Sequence, residues 1–202
     1  MQRYATKESL VFKIIVLVSS LFLASCATVA PIVNSNSPIN IYGVTTLPPQ
    51  NGDWVVIAAS GYQSSLGSKG INKNESHVVN VSIFKLPSLD SDKKLLEYIV
   101  SSRASTPDTG RFENRENTEN LSPLNGAVCV KYHSRSTDTN AKIQGGNASM
   151  VYESIGYNCQ HPKSNTVGVN IEYSSRYFED TGYSTLQYDS DVFFNGIEFT
   201  EF

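Results

Sequence analysis

The sequence predicts an α+β domain: a mainly antiparallel sheet with two helices. Three observations carry the prediction. Four segments alternate apolar and polar residues with period two, at 77–85, 127–136, 150–161 and 166–178. Between the first and second of these the period turns helical, over 91–103. A short second helical segment, 187–195, then precedes an Asn-Gly stop. The alternative architecture for so many strands is a small antiparallel β-barrel.

Taken in order, Trp54-Val-Val-Ile-Ala-Ala59 is a short apolar run fit for a strand. Gly61 to Gly70, rich in Ser and Gly, turns back as a weak strand. His77 to Lys85 alternates through Val79, Val81 and Ile83, and Pro87 ends it. Ser91 or Asp92 caps the helix that follows, whose apolar face is Leu95, Leu96, Ile99 and Val100. Ser105 to Asn125 is polar and reads as a loop. Ala127 to Ser136 alternates through Val128, Val130 and Tyr132, Met150 to His161 through Val151, Ile155 and Tyr157, and Thr166 to Phe178 through Val167, Val169, Ile171 and Tyr173. Asn195-Gly196 stops the second helix through a left-handed glycine, and Ile197-Glu-Phe199 is a last strand.

At 202 residues, 40% of them hydrophobic and only 17% charged, the chain has a core to bury, which argues against disorder. Its net charge of −3, with no basic cluster, argues against a dedicated nucleic-acid binder. Three cysteines are too few for a disulfide scaffold and lack zinc-site spacing.

Residues 1–25 read as an export signal rather than as fold. Arg3, Lys7 and Lys13 form a positive leader, and the apolar run Ile14 to Ala24 is too short to span a bilayer, which takes about 20 helical residues. Leu23-Ala24-Ser25-Cys26 then resembles the lipobox of bacterial lipoproteins, all four positions matching the pattern Leu, small, small, Cys. The resemblance implies that the Cys26 thiol is alkylated with diacylglycerol, that the leader is cut before it, and that Cys26 becomes the first residue of the mature chain. Several acyl chains make such an anchor effectively permanent, where one binds only marginally. In that family an aspartate after the cysteine tends to retain the protein at the inner membrane. Ala27 stands here, so the resemblance implies the periplasmic face of the outer membrane where the source has two membranes. Removal of the leader leaves the mature part at −5. The acyl group, not a basic patch, must then hold it to an anionic surface.

The expected organisation is a signal over 1–25, a lipid-anchored tether over 26–50 and a single α+β domain over 51–202. The tether reading rests on Pro31, Pro38, Pro48, Pro49 and the solvated Asn34-Ser-Asn-Ser37, although Ile39-Asn-Ile-Tyr42 has the composition of a short strand. The element order and the ending Phe193-Phe-Asn-Gly-Ile-Glu-Phe199 are similar to the PsbP-like α/β/α sandwich. That fold family includes scaffold and assembly proteins that catalyse nothing, so the likeness transfers no active site.

Cys129 and Cys159 lie in strands joined through Gly145-Gly146. If they oppose each other in a hairpin, paired residue numbers sum to 288, which sets Arg135 against Glu153 and Tyr132 over Gly156. Directly opposed residues approach within disulfide range, and an exported protein meets an oxidising compartment. A Cys129–Cys159 bond is therefore expected.

The search for chemistry assigns no catalytic residue, no metal ligand and no cofactor. His77, His133 and His161 show no metal-site spacing and read as surface or strand-end histidines. Gly61-Tyr-Gln-Ser-Ser-Leu-Gly67 misplaces the serines of a nucleophile elbow, and Gly67-Ser-Lys-Gly70 lacks the order of a phosphate loop. The acid pairs Asp90/Asp92, Glu179/Asp180 and Asp189/Asp191 sit where turns and helix starts place acids anyway. Tyr152, Tyr157, Tyr173, Tyr177, Tyr183 and Tyr188 crowd the last third, either as half-buried strand residues or as a face for protein or glycan. The reading that follows is a membrane-anchored, non-enzymatic binding or assembly module for another envelope protein. A carrier of an apolar ligand would need a continuous apolar cavity. A cell-wall hydrolase would need a pocket in which His133 or His161 meets a carboxylate or serine.

Overall fold

The computed structural model describes residues 31–70, 72–105, 110–180 and 185–202. The strands are β1 (Ile39–Ile41), β2 (Val44–Thr46), β3 (Val55–Ser60), β4 (Gln63–Lys69), β5 (Ser76–Lys85), β6 (Phe112–Leu121), β7 (Val128–Ile143), β8 (Gly146–Gln160), β9 (Val167–Tyr177) and β10 (Glu198–Phe199). The helices are α1 (Asp92–Ala104), between β5 and β6, and α2 (Leu186–Asn195), between β9 and β10. Seven strands form one sheet in the order β3-β4-β5-β9-β8-β7-β6, and a small sheet runs β1-β2-β10. Neighbours are antiparallel throughout. The expected α+β class is the observed one. The barrel is not, because β3 and β6 are outer strands that do not meet.

Alternate residues of a strand face opposite sides of its sheet, and here each side has its own helix. On one side Val130 packs with Leu86, Leu95 and Ile99, the last two from α1. On the other, Leu66, Val79, Val81, Cys129, Cys159 and Ile171 pack with Phe193 and Phe194 of α2. The sheet is thus a middle layer, and its period-two segments are strands whose two faces both reach cores.

β7 and β8 pair with numbers summing to 288 from Val128↔Gln160 to Asp138↔Met150, so Cys129 stands opposite Cys159 with the sulfurs bonded. Tyr132 lies opposite Gly156 and Arg135 opposite Glu153. The expected Arg135–Glu153 ion pair gives way to other partners. Arg135 donates to Glu179 at 2.6 Å, while Glu153 takes His133 at 2.6 Å and the Tyr177 hydroxyl.

Four expectations are corrected. The first is the solvated tether as far as Gln50: Pro31–Phe202 is one compact unit. Ile41 and Val44 are buried in the small sheet, the Val33 N–H donates to the Trp54 carbonyl at 2.7 Å, and the prolines punctuate short strands. The second is the loop at 105–125, which contains β6. This strand pairs on one side only and exposes the charges of Glu113, Arg115 and Glu116, as edge strands do to resist further pairing; with little to bury, it has no apolar period to read. Third, the reversal near Gly145-Gly146 is tighter than expected, since pairing continues to Ile143↔Gly146 past a bulge after Asp138. Fourth, Gly196 does follow α2, but with φ −85°, so the helix does not end through a left-handed glycine. The Ser91 cap on α1 is as expected, its hydroxyl accepting the Lys94 N–H at 3.4 Å.

Candidate functional site

α1 packs against β6 and β7. There, beside the last turn of the helix, lies a groove of about 520 Å³. Val100 and Arg103 come from α1, Phe112, Arg115 and Glu119 from β6, Ser134 and Ser136 from β7, Tyr152 and Ser154 from β8, and Glu172 from β9.

Arg103 organises its wall. The guanidinium lies 3.6 Å over the Tyr132 ring, donates from Nε to Glu119 Oε1 at 3.2 Å and from Nη2 to Ser134 Oγ at 2.7 Å. A planar cation over an aromatic face, held by two directed hydrogen bonds, is a rigid arrangement that lysine would not reproduce. Tyr132 is itself buried, and its hydroxyl donates to Glu172 Oε2 at 2.7 Å. Tyr152 reaches the other oxygen of the same carboxylate at 3.4 Å.

Electrostatics keep both phenols protonated. Burial, then the Glu172 charge, push Tyr152 up to about 12. The same causes, burial first, hold Tyr132 well above its ordinary range. Both are therefore neutral donors, not bases. From Tyr132 a polar chain continues across the face: Asn170 donates to the Tyr132 hydroxyl at 3.5 Å and to Asn158 at 3.2 Å, Asn80 donates to Asn170 at 3.3 Å, and Ser65 donates to Asn80 at 2.6 Å. This face of the sheet is a connected hydrogen-bonding surface from β4 to β7.

Gly156 is what lets Tyr132 lie flat. A Cβ there would meet the end of the Tyr132 ring and stand 2.6 Å from the Ile171 carbonyl oxygen. Gly156→Ala is expected to cost roughly 1–3 kcal/mol by overpacking. Because the ring must move, the variant should also lose the raised Tyr132 titration in an ultraviolet pH scan, which a merely destabilised but unshifted groove would keep.

The singled-out histidines and acids do not line the α1 groove: Asp90, Asp92 and His161 line a second pocket of about 350 Å³, and Glu179 accepts from the groove-lining Arg135. His161 is 1% exposed, its Nε2 at 2.7 Å from the Gly43 carbonyl. His77 is buried, with Nδ1 at 2.9 Å from Ser175 Oγ, and burial lowers it below its ordinary 6.5 against the opposing pull of Asp189 and Glu75. Neither is the surface histidine expected, since both lie where the small sheet or α2 covers the strand ends. His133 is the exposed one, in a surface cluster with Glu153 and Tyr177. The serine beside His77 is only 1% exposed, so that pair offers no nucleophile to a substrate. Among the described residues no group of three His, Cys, Asp or Glu is placed to hold a metal ion. Cys26 and Tyr183 lie outside the described residues.

The crowded tyrosines do not form one face. Tyr157 and Tyr173 pack against Phe194 and Phe193 of α2, Tyr177 joins Glu153, Tyr188 is exposed on α2, and only Tyr152 enters the groove. Sequence reasoning missed Arg103, Tyr132 and Glu172 as a set. The available signal was Glu172 in the polar phase of β9, facing away from the Ile171–Tyr173 core.

No family model and no curated protein matches this chain. Among solved structures it is similar to the Saccharomyces cerevisiae Ran-binding protein Mog1p, at 10% identity and TM-score 0.48, over 85% of this chain and 97% of that one. A point mutant of Mog1 is similar at 11% identity and TM-score 0.46, over 84% of this chain and 97% of that one.

Proposed function

We propose that this chain is a lipid-anchored protein of the cell envelope, held by acyl chains on Cys26, that binds another envelope component through the α1 groove without catalysis. The observation that carries the reading is the run Leu23-Ala24-Ser25-Cys26 directly after an apolar leader. The expected site is the periplasmic face of the outer membrane where two membranes exist. The groove supports a binding role because its phenol, Tyr152, is a protonated donor, its Arg103 is tied down, and none of its groups forms a nucleophile–base pair.

The compact unit of the described residues includes Pro31. Five backbone steps from Cys26 therefore reach at most about 17 Å, not the longer span of a flexible linker of some 25 residues. Such a short leash confines the groove near one membrane and raises its effective concentration for a partner there.

The test is made in the native host. Mass spectrometry should find a mature chain beginning at an acylated Cys26, and a photocrosslinker at Ser136 should give a discrete adduct that one at Tyr188 does not. An intact leader, or a bare Cys26 thiol on a freely secreted product, would overturn the anchor. Identical adduct patterns at the two positions would overturn the groove as the binding surface.

A further inference from the structure

Twelve large apolar side chains are exposed among the described residues, and they are not scattered evenly. Ile32, Val56, Ile57 and Tyr62 lie on β3, the outer strand of the large sheet, or on the chain beside it, and Tyr42 and Phe202 continue the patch from the Tyr62 end. Ile32 bridges to Val55, and the Tyr42 N–H donates to the Gly61 carbonyl at 2.8 Å. The Tyr42 ring lies 5.4 Å from Tyr62 and stacks at 4.6 Å on Phe202. Ile32 is 63% exposed, Ile57 59% and Tyr62 61%. No charged residue occurs in 31–50 or in 55–68, and the nearest charges in sequence, Asp53 and Lys69, stand together at one end of the β3–β4 pair.

An uncharged apolar edge is unusual in a solvated protein. Outer strands ordinarily carry charge against unwanted pairing, as β6 does at the opposite edge of this same sheet. Apolar residues exposed together mark a contact surface. Two features of the sequence identify its occupant. Ile32 is six residues from Cys26, so the edge cannot be carried more than about 20 Å from the acylated sulfur. The composition is that of an interfacial contact, aliphatic side chains flanked by tyrosines whose rings favour the headgroup level.

We infer that the β3 edge rests on the bilayer that holds the Cys26 acyl chains, an inference that depends on the anchor reading above. Ile32, Val56 and Ile57 enter the outer acyl region, and Tyr42 and Tyr62 sit among the headgroups. The sheet then stands edge-on to the membrane. The groove, built around β6 to β9, lies toward the far edge, across three to six strand spacings of about 4.8 Å each. It faces the aqueous compartment, where an envelope partner can reach it.

Chemical coupling separates this inference from the anchor reading. With Cys129 and Cys159 bonded, Cys26 is the one free thiol of the three. The chain from Cys26 onward, containing the whole folded body, is coupled to maleimide lipid in vesicles of phosphatidylethanolamine and phosphatidylglycerol, whatever the host does to it. Tyr62→Trp and Tyr188→Trp are compared, each against the buried native Trp54, with lipids brominated near the top of the acyl chain. The Tyr62→Trp emission should fall by roughly half, as expected for a side chain 5–10 Å into the interface, while that of Tyr188→Trp holds. Ile57→Trp repeats the measurement where a folding defect intervenes. Equal quenching at 62 and 188, or none at either, overturns the inference even if Cys26 proves acylated in the host. Protection that grows with protein density yet resists bromine also overturns it, since a second copy would then cover the edge.

Discussion

Replacing Cys129 and Cys159 together by alanine is expected to lower the stability of the folded body by roughly 3–4 kcal/mol. The two residues are directly opposed on β7 and β8, their sulfurs are bonded, and the closed segment is 30 residues long. A crosslink across that length removes denatured-state freedom worth roughly 3–4 kcal/mol in the chain-entropy account. Both cysteines are also fully buried in the core beneath α2, so truncation adds some loss of packing. Urea unfolding should show a lower midpoint for the double variant. The wild-type protein unfolded in reductant should fall to nearly the same midpoint, because its thiols can no longer hold the chain. A wild-type midpoint indifferent to reductant would show that the bond does not form. The expectation bears on location, since such bonds persist only in oxidising compartments.

The β7–β8 hairpin was legible because three pairings had to agree. The cysteines, the Tyr132–Gly156 fit and the Arg135–Glu153 opposition share one register, and that register is the observed one. Register follows from backbone pairing and steric fit, and both leave a trace in spacing. The destination of the Arg135 guanidinium leaves none: Glu179 lies beyond β9 and becomes a neighbour only when the sheet is assembled. The same reason hid the groove. Arg103, Glu119, Tyr132 and Glu172 come from one helix and three strands. Read singly, each is an unremarkable residue. β6 was hidden for the opposite reason, because an edge strand with polar residues on both faces has no periodicity to detect. The start of the body was misplaced because prolines in 31–50 serve short strands as readily as linkers, and only the burial of Ile41 and Val44 decides between them.

Asp138→Asn is expected to cost about 3 kcal/mol, by leaving two guanidiniums without their shared anion. Asp138 stands where the β7–β8 register shifts, and its carboxylate is fully buried. Arg111, just before β6, grips it with two parallel hydrogen bonds of 2.7 and 2.8 Å. Arg176 of β9 places Nε 3.0 Å from Oδ2, an ion pair without hydrogen-bond alignment, so its attraction is coulombic alone. The cluster therefore ties β6, β7 and β9 together at the end of the sheet. Asparagine keeps the volume but offers one acceptor and no charge. Both guanidiniums retain some exposure, and water limits the loss to the lower end of what breaking buried pairs costs. The pH dependence gives the sharper check. Burial by itself raises the Asp138 carboxyl, but the Arg111 hydrogen bond, the Asn140 N–H and the two cationic charges outweigh it and hold the group below its ordinary 3.8. A lowered carboxylate contributes stability that is present above the unfolded value and is lost as pH falls through the folded one. His77, lowered by burial, adds a loss of its own that begins higher, as pH drops below 6.5. That loss occurs in wild type and variant alike, so it cancels in their difference. The stability gap between wild type and Asp138→Asn should therefore stay constant from about pH 7 to pH 5 and shrink only below about pH 4. A gap that closes already near pH 6 would mean that the variant had disturbed His77, and that the Arg111–Asp138–Arg176 cluster was not what it removed.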